Sequence, residues 1–471
     1  MSLCQKRKIK YESKIISLMK ALIANLGFIF QIAGLIMVIP IITAHYYGEN
    51  EAMIAFLLTS LSFFSIGFIM NALSERKELD YKTSCLLVLL TFVLISLIGT
   101  IPYFYLKIFS SNNIVEDFVN SYFESVSGFT TTGLTFLDSK NLPKSLVLYR
   151  SLTQWIGGVG IVYLILAFFY EENIANGIAG AIGIKKFLTK IKSSIIEVLF
   201  IYSFYTILFF SILYFLGIQD FVTNISLVFS GLSTGGFMPS IDVSQQVILA
   251  LVALMIVGAT SFEIHHALIF RKWQKLKSLE FLTFLLLIII GIFISHNLYY
   301  KDVVFSLFNV VSATTTTGFS FESMQNLPET LKLILIALMF IGGCTFSTSG
   351  GIKVYRFILL FKSIGIAIKE KFGIDSKEDA KKALISLLTI SLSVLIVFIS
   401  ALIFTLYNNS FIDSLFQCVS AYSTVGLSLD LNLNATLKSI LIVLMIVGRV
   451  EIFTFLVAIS RYKRKEEKLQ R

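Results

Sequence analysis

Four short strings hold the residues best suited to bind an ion. They are Ser127-Gly128-Phe129-Thr130-Thr131-Thr132-Gly133-Leu134, Ser230-Gly231-Leu232-Ser233-Thr234-Gly235-Gly236-Phe237, Ser312-Ala313-Thr314-Thr315-Thr316-Thr317-Gly318-Phe319 and Ser420-Ala421-Tyr422-Ser423-Thr424-Val425-Gly426-Leu427. The shared pattern is S-[GA]-x-[ST]-T-x-G-[LF]. None contains Asp or Glu, which a divalent cation would normally require. Glycine permits positive φ, so successive carbonyls can face one axis. A ring of such carbonyls, helped by threonine hydroxyls, can replace the hydration shell of a monovalent cation and still release it. One Ser/Thr/Gly cluster could do no more than let helices pack closely. Four matched copies point to a pore.

These strings need helices on both sides. Nine stretches lack Asp, Glu, Lys and Arg over a membrane-spanning length: Ala21–Tyr47, Ala52–Leu73, Thr83–Leu106, Ser151–Tyr170, Val198–Gln219, Val243–Phe262, Phe281–Tyr300, Leu333–Ile352 and Ala383–Ile412. A tenth, Ser439–Ser460, is interrupted only by Arg449 and Glu451. The four strings lie in shorter semi-apolar segments near 118–134, 222–237, 303–319 and 411–427. Glycine strings follow at near-fixed distance: Ile156-Gly157-Gly158, Ile256-Val257-Gly258, Ile341-Gly342-Gly343 and Ile446-Val447-Gly448. The last glycine of each stands 25, 22, 25 and 22 residues beyond the loop glycine. The repeated unit is therefore helix, half-helix, loop strand, helix. The expected fold is an all-α multi-span membrane protein with four pseudo-symmetric helix–pore loop–helix repeats after an N-terminal helix pair. Expected divisions are 1–82, 83–193, 194–277, 278–382 and 383–471.

The charge pattern supports re-entrant loops. The 471 residues are 56% hydrophobic and 14% charged, with net charge +10 and mean hydropathy +0.83. A soluble chain of this length needs more polar surface. If the short segments dip in and return, segments 1–20, 74–82, 171–193, 271–277, 353–382 and 461–471 share one side. They hold 31 of the 39 Lys and Arg residues, which marks that side, and both termini, as cytoplasmic. The basic balance then reads as membrane topology, with no nucleic-acid partner. Nothing resembles a cleavable signal, because Ala21–Tyr47 is long enough to remain as a span. Four cysteines lack CxxC spacing, and four histidines lack metal-ligand spacing. Gly177, Gly180 and Gly183 do not make a nucleotide fingerprint. His265 and His266 read as interfacial, Glu124 as a local hydrogen-bonder, and Trp155 and Trp273 as packing or interfacial residues.

Two further features bear on the path. Gly342-Gly343-Cys344-Thr345-Phe346-Ser347-Thr348-Ser349-Gly350-Gly351 interrupts what should be an apolar helix. It reads as an intramembrane gate; the alternative is a local kink for packing. Arg449 follows Gly448 inside a span, where an arginine is costly. It reads as an electrostatic barrier paired with loop carbonyls; the alternative is an ion pair with Glu451 or Glu263. A membrane-embedded enzyme would need clustered acid, base or metal ligands, so no enzyme activity is expected.

With these residues in view, the chain resembles the Trk/Ktr superfamily of potassium transporters, in particular the TrkH type, over essentially its whole length. The marks are the four T-x-G strings, the 342–353 loop ending Gly-Gly-Ile-Lys, and Gly448-Arg449-Val450-Glu451-Ile452. The extra N-terminal helix pair points to the Trk branch. The resemblance implies K⁺ uptake across the bacterial inner membrane, with K⁺ as the transported ion and no organic cofactor on this chain. It implies a homodimer with one pore per subunit and a separate cytoplasmic nucleotide-binding regulatory subunit (TrkA-like), in contact with membrane lipid. Its ion-binding positions fall on Thr131, Thr132, Gly133, Thr234, Gly235, Gly236, Thr316, Thr317, Gly318, Thr424, Val425 and Gly426. Its gate falls on Gly342–Gly351 and its pore arginine on Arg449. Thr345, Phe346 and Ser349 depart from the small residues usual in that loop; Phe346 is expected to stiffen the loop or plug the path. The competing functional readings are a less selective Na⁺/K⁺ channel and a symporter coupled to Na⁺ or H⁺.

Overall fold

The computed structural model describes residues 3–73, 79–111, 113–168, 191–241, 244–271, 278–299, 303–371, 377–431 and 433–460. The 171–190 connection with Gly177, Gly180 and Gly183, Trp273, and the basic tail from 461 onward lie outside the described residues. Those described are helical or irregular, with no strand among them. In lipid a backbone must satisfy its own polar groups, and long Leu/Ile/Phe-rich runs do this as helices. Six helices are long and apolar enough to cross a membrane, within 16–46, 50–72, 81–105, 197–215, 279–298 and 379–405. Two bent helix pairs would bring the number to eight.

The N-terminal pair is α1 (Leu3–Ile36) with its continuation α2 (Val38–Tyr46), packed against α3 (Asn50–Ala72). Gly27 and Gly67 meet at their crossing. A Cβ on either would stand 2.8 Å from the other's carbonyl oxygen, so the two backbones nearly touch. Glu49 ties this pair to the first repeat by accepting hydrogen bonds from the Lys144 and Ser145 N–H groups at 2.7 and 3.0 Å.

The first repeat contains α4 (Tyr81–Ile98), the short α5 (Ile101–Tyr105), α6 (Ile114–Phe129) and α7 (Lys144–Phe168). The second contains α8 (Ile191–Phe215), α9 (Phe221–Leu232), α10 (Gln245–Ala259) and α11 (Phe262–Ile269). The third contains α12 (Leu279–Tyr299), α13 (Val303–Thr314), α14 (Glu329–Ile341) and α15 (Val354–Lys371). The fourth contains α16 (Lys377–Thr405), α17 (Phe411–Tyr422), α18 (Ala435–Val450) and α19 (Ile452–Ile459). The half-helices α6, α9, α13 and α17 each run straight into one of the four strings. Asn113, Asp220 and Ser410 cap three of them by accepting from the N–H of Val115, Thr223 and Asp413. Each following helix packs on the half-helix of the next repeat: α7 on α9, α10 on α13, α14 on α17, and α18 on α6. The last contact closes the ring.

Leu333–Ile352 is interrupted as expected from Gly342–Gly351: α14 stops at Ile341 and an irregular segment follows to Lys353. Two other expected spans break against their sequence reading. Ser439–Ser460 bends by 99° between α18 and α19 at Glu451, whose φ is +67°. The helix of the second repeat also breaks, with 107° between α10 and α11, so the third repeat is not the sole exception. His265, expected at an interface, is buried at this second break. Its Nε2 donates to the Val257 carbonyl at 2.9 Å, and its Nδ1 accepts from the Tyr205 hydroxyl at 3.0 Å. It is a second donor to a helix-end carbonyl that also accepts the Thr260 N–H at 3.2 Å.

Candidate functional site

The four strings converge. In each, the motif threonine is left-handed: φ is +53° at Thr131, +50° at Thr234, +57° at Thr316 and +49° at Thr424. The loop glycine two residues on is also positive: +83° at Gly133, +88° at Gly236, +78° at Gly318 and +96° at Gly426. The residue between them is not. An ordinary strand alternates its groups between two sides; left-handed residues at alternate positions turn successive carbonyls to one side.

Which side is fixed by the glycines. A Cβ on Gly236 would lie 2.7 Å from the Thr317 carbonyl oxygen of the third loop. Cβ atoms on Gly133, Gly318 and Gly426 would run into the carbonyls of Gly235, Val425 and Thr132. Read in order, each loop glycine faces the middle carbonyl of the next loop, and the fourth returns to the first. Thr132, Gly235, Thr317 and Val425 therefore contribute one carbonyl each to a closed ring too narrow for side chains. The half-helices end at this ring, which directs the negative ends of four helix dipoles toward it.

Threonine hydroxyls break the four-fold symmetry. Thr130 and Thr132 pair at 2.7 Å, and Thr315 and Thr317 at 2.8 Å, in the first and third loops only. The Thr131 and Thr424 hydroxyls are buried with no hydrogen-bond partner. The Thr234 hydroxyl donates to the Ser233 carbonyl at 2.7 Å, and that of Thr316 accepts the Gly350 N–H at 2.6 Å.

The second glycine repeat also has a geometric cause. Gly157, Gly258 and Gly448 lie against the carbonyls of Phe129, Leu232 and Tyr422, all at the third motif position. A Cβ on Gly258 would stand 2.6 Å from the Leu232 oxygen. Gly157, not Gly158, is thus the counterpart of Gly258 and Gly448. Gly158 instead meets Ser233 of the next loop.

The segment from Gly342 to Lys353 lies against the strings where they leave the half-helices and contacts the second, third and fourth repeats. Gly350 packs on the Ser423 carbonyl and Thr424 hydroxyl, and the Gly351 N–H donates to Ser423 at 3.1 Å. Cys344 and Thr348 donate their N–H groups to Ala259 and Gly258 at 3.0 and 3.2 Å. The Thr348 hydroxyl lies 2.9 Å from the Leu232 carbonyl and 2.8 Å from that of Gly258. The Thr345 N–H donates to Glu280 at 2.5 Å. Gly342, at φ +74°, packs on Gly350 and Gly351, which folds the segment back on itself. The Gly343 carbonyl accepts the Val354 N–H at 3.1 Å, and the Ser347 and Ser349 hydroxyls pair at 2.8 Å. Phe346 (φ +59°) sets its ring against Phe262 at 5.7 Å, in an edge contact beside α11.

Arg449 is buried and bonds to carbonyls. Nη1 donates to Thr348 at 3.1 Å, and Nη2 to Gly157 at 2.8 Å. It bridges the 342–353 segment to α7. Glu451 pairs instead with Arg356 at 2.6 Å.

Sequence reasoning missed several buried charges, having assigned only Arg449 and Glu451 to the spans. Glu124, read from the sequence as a local hydrogen-bonder, does accept from the Phe136 N–H at 2.8 Å, but it also pairs with the buried Arg150 at 3.1 Å. Gln417, at the same motif offset, accepts from the Leu429 N–H at 3.2 Å. Counting back from the four serines would have found that pair. Lys332 pairs with Asp413 at 2.7 Å. Trp155 is a packing residue, against Tyr202 and Phe229. Among the described residues no group of His, Cys, Asp and Glu could hold a metal ion.

Comparison with known proteins agrees with this architecture. The sequence profile of TrkH, a cation transport protein, matches residues 54–295 and 291–468. An uncharacterized cation transporter of Methanocaldococcus jannaschii is 32% identical, over 92% of this chain and 93% of its own. The Trk system potassium uptake protein TrkH of Escherichia coli K12 is 28% identical, over 89% and 94%. The crystal structure of the potassium transporter TrkH from Vibrio parahaemolyticus matches with a TM-score of 0.81 at 24% identity, over 94% of this chain and 98% of that one.

Proposed function

The chain belongs to the TrkH family of cation transport proteins, a multi-pass membrane family and not a family of enzymes, and from that premise we propose that it takes up K⁺. The observation that carries this is the closed ring of four carbonyls, from Thr132, Gly235, Thr317 and Val425, each against a positive-φ glycine. In this reading K⁺ sheds water and is held by main-chain oxygens of four quasi-equivalent loops, 131–133, 234–236, 316–318 and 424–426. The threonine hydroxyls beside them supply further oxygen. No fixed carboxylate enters the ring, so binding is weak enough for release.

The 342–351 segment is the gate. Gly350 sits under Thr316, Ser423 and Thr424, where an ion leaving the ring must pass. Arg449 holds the gate shut by donating to Thr348 and Gly157, and its charge repels the ion. The divisions 83–193, 194–277, 278–382 and 383–471 are the four pore repeats, after the hairpin of 1–82. The protein resides in the bacterial inner membrane with both termini cytoplasmic. It works as a homodimer beside a nucleotide-binding regulatory subunit.

Complementation of a bacterium unable to grow at low K⁺ tests the reading. The wild-type chain restores growth and Rb⁺ uptake. Gly318→Ser, whose Cβ would meet the Val425 carbonyl, relaxes discrimination against Na⁺ about tenfold, as expected when a ring ligand is displaced. Unchanged discrimination in a transport-competent Gly318→Ser protein would sink the carbonyl-ring assignment.

A further inference from the structure

The ring is not four-fold symmetric, and the break falls on two complementary residues. Three residues before Gly157, Gly258, Gly342 and Gly448 stand Gln154, Met255, Met339 and Met445. All four are buried. Methionine is the repeat's residue at this place, and glutamine is the exception. Each of these helices packs on the half-helix of the next repeat. The middle residues of those next loops are Gly235, Thr317, Val425 and Thr132 in the same order. Where the helix carries Gln, the neighbouring loop carries Gly; where it carries Met, the loop keeps a side chain.

The geometry explains the pairing. The Gln154 Nε2 group donates to the Gly235 carbonyl, and its Oε1 accepts the Phe237 N–H at 3.3 Å. A Cβ on Gly235 would lie 2.5 Å from the Gln154 Oε1 and Cδ. One helical turn earlier, Arg150 lies over the Phe237 ring at 4.0 Å. The second loop is therefore clamped by side chains of the first repeat.

We propose that Gln154 is a positioning residue that sets ion discrimination through the Gly235 carbonyl. This rests on reading the ring as the ion path. A carbonyl oxygen has two lone pairs, and Gln154 occupies one of them. The positive end of its N–H dipole sits beside an oxygen facing the axis, so the field is weakened on that side. Three full-strength carbonyls and one weakened one favour a large, weakly hydrated cation over a small one, because discrimination follows the number and field strength of the ligating dipoles. Removing the donor strengthens the ring's field and favours Na⁺.

The test uses the full chain in proteoliposomes, comparing Na⁺ with Rb⁺ flux. Gln154→Met installs the residue of the other three repeats, and Gln154→Leu removes the donor by a second route. Gly318→Ser serves as the control on the ring itself. Both Gln154 variants are expected to raise the Na⁺-to-Rb⁺ flux ratio about fivefold, the worth of one net hydrogen bond. A changed ratio is something that mere loss of packing, which lowers both fluxes together, does not produce. If Gly318→Ser shifts the ratio and neither Gln154 variant does, the proposal is overturned and the ring reading stands. If Gly318→Ser also leaves it unchanged, both fall. If both Gln154 variants fail to reach the membrane, the clamp serves folding rather than discrimination, and the proposal is again overturned.

Discussion

At the scale of single residues, Arg449 carries the greatest electrostatic cost. A buried guanidinium without a carboxylate partner is tolerated only when carbonyls satisfy it, and Thr348 and Gly157 do so. On the proposed gating reading, these partners lie on a segment that must move for an ion to pass and on a helix that need not. Truncation therefore weakens the closed state more than the open one. Two charge-assisted hydrogen bonds are lost, so Arg449→Ala is expected to raise basal Rb⁺ flux about tenfold or more. Flux in proteoliposomes measures this; a fall with protein level unchanged would contradict a latch.

At the scale of elements, the approach between helix and half-helix decides stability. Gly448 lies against the Tyr422 carbonyl, and Gly258 against that of Leu232, with no room for a methyl group. Gly448→Ala forces helices apart and is expected to cost about 1–3 kcal/mol. Gly365, in α15, has nothing within 4 Å of an added Cβ. Gly365→Ala should be neutral or stabilising by about 0.5–1 kcal/mol, since only helix propensity changes. Thermal unfolding of the two variants in detergent separates these outcomes; equal melting temperatures would refute the close-approach explanation. The breaks in α10/α11 and α18/α19 belong to this scale too. At the first of these, the Val257, Gly258 and Ala259 carbonyls accept from His265, Thr348 and Cys344, which lets a helix stop inside a membrane.

At the scale of the whole molecule, four repeats close into one ring, with α18 returning to α6. In the cyclic order of loops, Thr132 and Thr317 are diagonal partners. Cysteine at either position, with the four native cysteines Cys4, Cys85, Cys344 and Cys418 replaced, should react with Ag⁺ from the same membrane face. K⁺ should protect both about equally, because the proposed ion site lies between them. Labelling from opposite faces, or protection of one site alone, would break the shared-axis picture.

The repeats themselves were legible in the chain. S-[GA]-x-[ST]-T-x-G-[LF] recurs four times, and the positive φ of its glycine is a local conformational choice, whereas the left-handed threonine two residues earlier is imposed by its surroundings, since a β-branched residue avoids that region. The half-helices and most spans follow from apolar runs and caps such as Asn113 and Asp220, which again are local. Other features rest on contacts between distant segments. Gly235 reads as one glycine among several until Gln154, 81 residues earlier, is found upon it. Arg449 meets Gly157 across 292 residues and Thr348 across 101. His265 reads as interfacial in the sequence, whereas the fold buries it against the Val257 carbonyl at the α10 break. Apolar periodicity says how long a helix can be, but not which backbone group another repeat will take from it. Sequence alone thus determined the repeating unit and the number of copies. The tertiary structure decided where helices break, which glycine of each pair faces a half-helix and which carbonyl of the ring is already engaged, because these depend on how neighbouring repeats compete for the same polar groups.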